Sequence, residues 1–112
     1  MISVAALIPA YNEADRITET VIAAKALERV SEVVVIDDGS TDDTAEKASS
    51  AGADRVVRLE KNSGKGAALM AGVKSTEAEI VLMLDADLAS SASAAGALLE
   101  PVLSGRVDMT IA

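Results

Sequence analysis

Apolar runs and amphipathic stretches alternate along the chain in a steady rhythm. Ile2–Ile8, Glu32–Ile36, Arg55–Leu59, Glu79–Leu84 and Val107–Ile111 are short, rich in Val, Ile and Leu, and predict buried strands. Between them, Ala14 to Arg29 places Ile17, Val21, Ala24 and Leu27 on one helical face. Thr41 to Ala51, Gly66 to Ser75 and Ser93 to Leu103 predict three further helices, the last kinked or broken at Pro101. Asn12 is placed to cap the first helix and Ser40 or Thr41 the second, which Gly52 should stop. No linker, repeat or low-complexity tract interrupts the series.

Alternation of strand and helix implies an α/β fold: a mainly parallel sheet with helices on both faces and right-handed crossovers. In open sheets of this kind, ligands bind beyond the carboxyl ends of the strands, where strand order reverses. The polar clusters of this chain lie at those ends: PAYNE (Pro9 to Glu13), DDGSTDD (Asp37 to Asp43), NSGKG (Asn62 to Gly66) and DAD (Asp85 to Asp87). The opposite loops, Arg29–Ser31 and Ala51–Asp54, carry no comparable cluster.

Composition narrows the chemistry. The chain has 112 residues, suited to one domain, and half of them are hydrophobic, with one Tyr and no Phe or Trp. It has no Cys and no His, which excludes disulfides, thiolate or imidazole metal sites, and Ser-His-Asp or Cys-His catalysis. A metal here must be a hard cation held by oxygen. The net charge of -8, with basic residues scattered, argues against nucleic acid as a partner. No apolar run reaches the roughly 20 residues that span a bilayer. The lack of cysteine fits a cytoplasmic setting.

Each cluster has a chemical use and a plainer one. Asp85 and Asp87, alternate residues at a strand end, point the same way and can share a Mg²⁺ that also touches phosphates. Caps in a solvated turn are the plain alternative. Asp38 is the favoured hydrogen-bond acceptor for a base N–H or ribose hydroxyl, with Asp37 bracing the loop. Asp42 and Asp43 fit a first helical turn, where negative charge suits the helix dipole. Tyr11 packs under a base or covers the sheet end. The backbone of Pro9 and Ala10 can read a base edge, and Glu13 can hold ribose or a base N–H, although it also suits a first helical turn. NSGKG lacks the spacing of a Walker loop, but Lys65 is the one cation within a rim cluster and would meet a diphosphate.

In this order PAYNE, VVVIDDGSTDDT, NSGKGAALMAG and VLMLDADL resemble the nucleotide-sugar-binding half of glycosyltransferase family 2, over nearly the whole chain. The likeness is greatest to members similar to dolichyl-phosphate mannosyltransferase and glucosyl-3-phosphoglycerate synthase. The resemblance implies a Rossmann-like GT-A nucleotide-diphospho-sugar transferase fold with sheet order 3-2-1-4. It also implies a UDP- or GDP-sugar donor with Mg²⁺ or Mn²⁺ on its diphosphate. By motif, Pro9, Ala10, Tyr11 and Glu13 fall at base and ribose, Asp38 at the nucleoside and Lys65 by the nucleotide. Asp85 and Ala86 fall at ribose and phosphates, with Asp87 as metal ligand beside Asp85.

Members of that family continue for about another domain's worth of chain. That part carries acceptor recognition, a carboxylate base in inverting members, and an antiparallel strand between the fourth strand and the one matched by Val107–Ile111. The resemblance therefore implies a truncated, donor-binding domain, an acceptor that is membrane-associated in the full enzyme, and open apolar edges that favour homo-oligomers. Two alternatives remain: a non-catalytic nucleotide-sugar-binding or self-assembling module, and a phospho-receiver. The receiver needs its acidic pair after the first strand, whereas here the pair follows the second.

Overall fold

Five strands build the sheet of this computed structural model: β1 (Val4–Ala10), β2 (Glu32–Asp37), β3 (Arg55–Arg58), β4 (Ile80–Met83) and β5 (Asp108–Ile111). Helices α1 (Ile17–Lys25), α2 (Thr44–Ala51) and α3 (Lys65–Ser75) join the first four. The structure describes residues 3–86 and the backbone of residues 108–111. The helix expected over 93–103, with Pro101, and the metal ligand expected at Asp87 lie outside the described residues.

The strand order is β3-β2-β1-β4-β5, and every pairing is parallel. The order 3-2-1-4 and the α/β architecture hold as expected. One neighbour differs. With the family's antiparallel strand missing, an open edge is expected beside β4, but here β5 pairs with β4 directly, from Ile80 opposite Asp108 to Met83 opposite Ile111. All four residues of β4 are buried, and buried backbone groups need hydrogen-bond partners. The described edges are therefore β5 and β3, and β3 exposes Arg55 and Arg58, charges that discourage edge-to-edge pairing.

Side chains alternate across the sheet and divide the core in two. Val4, Ala6, Ile8, Val33, Val35, Ile80 and Leu82 face Ile17, Val21 and Ala24 of α1 and Ala48 of α2. Ala5, Leu7, Val34, Ile36 and Val81 face Ala68 of α3. The fully buried Val, Leu and Ile side chains each contribute about 1.5–3 kcal/mol relative to exposure. Small residues set the spacing: a Cβ at Gly72 would stand 2.8 Å from Ile36 Cδ1 and 3.2 Å from Leu7 Cδ1, so α3 lies close on the sheet. Far from the rim clusters, Asp54, in the loop before β3, ties α1 to β2. Its Oδ2 accepts the Val33 N–H at 2.7 Å, and Lys25 Nζ lies 3.0 Å from Oδ1.

Candidate functional site

The carboxyl ends of β1, β2 and β4, with the loop before α3, bring PAYNE, DDGSTDD, NSGKG and the described Asp85 and Ala86 onto one rim. Pro9 and Ala10 belong to β1 itself, which runs further than its apolar run predicts because both are buried or paired in the ladder. Tyr11, beyond it, is 45% exposed.

The loops after β1 and β2 are stitched to each other. The Asn12 N–H donates to Ser40 Oγ at 2.9 Å, and Asn12 Oδ1 accepts the Thr41 N–H at 2.8 Å. The Glu13 N–H donates to Thr44 Oγ1 at 3.0 Å, and Thr44 in turn donates to Asp42. Asp42 Oδ2 also takes the Ala14 N–H at 3.3 Å. Asn12 has φ of 53°, a left-handed conformation that asparagine tolerates better than most residues. These bonds correct the expected helix caps. Helix α1 begins at Ile17 and α2 at Thr44, and neither has a side-chain cap. Asn12, Ser40 and Thr41 spend their polar groups between loops instead. Gly52 does close α2 as expected, in the left-handed conformation.

Asp38 is 4% exposed, and its carboxylate organises the loop before α3. Oδ1 accepts the Ser63 N–H at 2.8 Å, and Oδ2 accepts the Gly64 N–H at 2.9 Å and Asn62 Nδ2 at 3.2 Å. Loop bracing, assigned from sequence to Asp37, thus falls on both aspartates. Asp37 Oδ1 accepts the Ser40 N–H at 2.9 Å. Its Oδ2 is buried without a hydrogen bond, and Arg58 Nε at 3.5 Å gives it charge neutralisation only. Between these loops sits Gly39, with φ of 76°; a Cβ there would lie 2.5 Å from Asn62 N and from Lys61 C.

Two adjoining hollows open on this rim. One, of about 270 Å³, is lined by Pro9, Tyr11, Glu13, Lys65, Asp85 and Ala86. The other, of about 180 Å³, is lined by Pro9, Ala10, Tyr11, Asp38, Asn62, Gly64 and Lys65. Pro9, Ala10, Tyr11, Glu13, Asp38, Lys65, Asp85 and Ala86, the nucleotide-sugar residues expected from sequence, therefore meet at one crevice. It spans β1 and β4, where the strand order reverses. Lys65 Nζ crosses it to Asp85 Oδ1 at 2.6 Å. Glu13, on its wall, has Oε2 buried with no hydrogen-bond partner. Asn62, the first residue of NSGKG, also joins the wall, although no contact of its own is expected of it from sequence.

A larger cavity, about 610 Å³, opens at the opposite rim among Ser3, Ser31, Glu32, Lys74 and Thr76. The loops there hold more polar groups than the sequence suggests, but those groups serve the fold. Ser31 Oγ accepts the Val4 N–H, Ser3 Oγ accepts the Glu79 N–H, and Thr76 donates to Glu32.

Two aspartates titrate below the ordinary value of 3.8: Asp42, held down by the Thr44 hydroxyl, and Asp54, where the Val33 N–H and Lys25 outweigh an upward push from burial. A lowered folded-state pKa stabilises the fold above the unfolded-state value, and that stability is lost as pH falls through the folded-state one. The urea midpoint should therefore fall below pH about 4, and the double variant D42N/D54N should show a shallower fall. Parallel acid profiles for the two proteins would contradict this.

The family model described as Glycosyl transferase family 2 matches residues 5–112. The chain is 43% identical over 104 residues to Glycosyltransferase AglJ of Haloferax volcanii, covering 92% of this chain and 33% of that protein. It is 38% identical over 94 residues to the undecaprenyl-phosphate 4-deoxy-4-formamido-L-arabinose transferase of Edwardsiella ictaluri, covering 76% of this chain and 29% of that one. The structure resembles glucosyl-3-phosphoglycerate synthase from Mycobacterium tuberculosis, solved with Mn²⁺, UDP and glucosyl-3-phosphoglycerate. The TM-score is 0.81 at 33% identity, covering 93% of this chain and 40% of that one. The chain thus spans about a third of the length of these curated relatives.

Proposed function

The chain belongs to glycosyl transferase family 2, and from that premise we propose that its rim crevice binds a nucleoside-diphosphate sugar, as the donor-binding part of a glycosyltransferase. The observation that carries this is the pairing of Lys65 with Asp85 inside a crevice at the strand-order reversal. An anionic diphosphate and a cation would each find an opposite charge there.

The residues have distinct tasks. Tyr11 packs against the base, and the unpartnered Glu13 Oε2 is satisfied by a ribose hydroxyl or a base N–H. Asp38 holds the Asn62–Gly64 loop and can accept one more bond, because a carboxylate offers about four acceptor sites. Lys65 turns from Asp85 to the phosphates. The donor set suits Mg²⁺ or Mn²⁺: with no Cys or His in the chain, only oxygen ligands are on offer, and Mg²⁺ takes few carboxylates beside phosphate oxygens. Among the described residues no three acidic side chains gather as a cage. Asp85, with Asp87 completing the DXD motif, would hold the cation. Bound there, the cation supplies neutralisation of the departing diphosphate. The acceptor is a hydroxyl or phosphate, and a relative named for undecaprenyl phosphate supports a membrane-associated one.

Calorimetry with UDP and GDP tests the proposal. Binding should weaken at least about tenfold when Mn²⁺ is withdrawn and again in Lys65→Met, since hydrogen bonds to charged groups contribute about 1.5–3 kcal/mol. Failure of the unaltered chain to bind either nucleotide would refute the donor site. Equal affinity in Lys65→Met would remove Lys65 from it. Binding of UDP-sugar without transfer to any acceptor would assign this chain donor binding alone.

A further inference from the structure

Helix α1 has one polar residue on its buried stripe. Ile17, Thr20, Val21 and Ala24 follow the i, i+3, i+4, i+7 pattern, and Thr20 is as fully buried as the rest. Its hydroxyl donates to the carbonyl of Ala86 at 2.7 Å, joining residues 66 apart in sequence. Ala86 is the middle residue of DAD.

Strand β4 leaves the sheet just before that point. The Leu84 N–H still bonds to the Leu7 carbonyl, at 2.9 Å, and Asp85 and Ala86 then follow outside the strand. Without Thr20 the Ala86 carbonyl, in a residue only 5% exposed, would lose this buried partner. Valine would fill the same volume on the stripe. Threonine adds the hydroxyl that makes this bond. The exit of β4 is thereby pinned on both sides of Asp85, by Leu7 at Leu84 and by Thr20 at Ala86.

We infer that Thr20 is a positioning residue for the diphosphate and cation corner, fixing the turn that presents Asp85 opposite Lys65. The inference rests on the donor-site reading above. Thr20 touches no ligand; it acts through the backbone of the turn. Groups that orient a ligand-bearing segment in this way typically change affinity by about 10–100-fold when lost.

The test compares Thr20→Val, Thr20→Ser and Val21→Ala, the last a control that loosens the same core without touching the turn. Two readouts are taken where all variants are folded: UDP affinity with Mn²⁺, and amide hydrogen exchange at Asp85 and Ala86. Thr20→Val should weaken UDP–Mn²⁺ binding about tenfold and speed exchange in the turn. Thr20→Ser, which keeps the donor, should restore affinity to within about twofold, and Val21→Ala should leave both readouts near those of the unaltered chain. Thr20→Val matching Val21→Ala in both would overturn the inference. If the unaltered chain binds no nucleotide, the donor-site reading fails. Unchanged exchange in Thr20→Val would then defeat the pinning as well.

Discussion

Asp38→Asn should abolish measurable nucleotide binding and remove about 3 kcal/mol of stability, although the side chain keeps its size. Each carboxylate oxygen of Asp38 faces a backbone donor, Ser63 N–H on Oδ1 and Gly64 N–H on Oδ2. An amide has one oxygen. Whichever way it turns, its NH₂ is set against an N–H, leaving a part-buried donor unpaired and repelled beside the buried side chain. The loop from Asn62 to Gly64 then loses its anchor, and with it a wall of the 180 Å³ hollow that also holds Lys65. Urea unfolding and UDP calorimetry together check this. A variant with unchanged midpoint and affinity would show that the loop holds itself.

Gly39→Ala should cost on the order of 3–5 kcal/mol, a large part of a domain's usual margin of about 5–15 kcal/mol. Two penalties combine. The backbone at Gly39 is left-handed, and the new Cβ would sit 2.5 Å from backbone atoms of Lys61 and Asn62. No side-chain rotation relieves contact with backbone. Gly52→Ala separates the terms: φ there is 108°, with nothing within 4 Å of the added carbon. That variant bears the conformational strain alone, about 1–2 kcal/mol. Denaturant midpoints of the pair should differ accordingly, and equal losses would mean that the two loops give way without cost.

Much of this architecture is legible in the chain because burial writes itself as pattern. Strands covered on both faces appear as apolar runs, and α1 as a stripe with the helical period. The helix starts are misread for a physical reason. Asn12, Ser40 and Thr41 have the same hydrogen-bonding groups whether they cap a helix or reach another loop, and only the approach of residues about 28 apart decides which. The division of labour between Asp37 and Asp38 is hidden likewise, since the Ser63 and Gly64 N–H groups arrive from a distant loop. Thr20 did leave a trace: a hydroxyl on an otherwise apolar stripe must find a buried acceptor. Its partner, 66 residues away, could not be named from local spacing.

The stitching of the rim loops also bears on how this scaffold can be re-engineered. Asn12 and Glu13 bond to Ser40, Thr41 and Thr44, and Asp38 bonds to Asn62, Ser63 and Gly64. Three segments distant in sequence thus form one mechanical unit. Grafting the 37–44 loop from a relative would sever bonds on both of its sides, and grafting either of the other two would sever those to 37–44. Residues 9–14, 37–44 and 61–65 must be transplanted as a set, so selectivity in this scaffold is a property of the set and cannot be exchanged loop by loop.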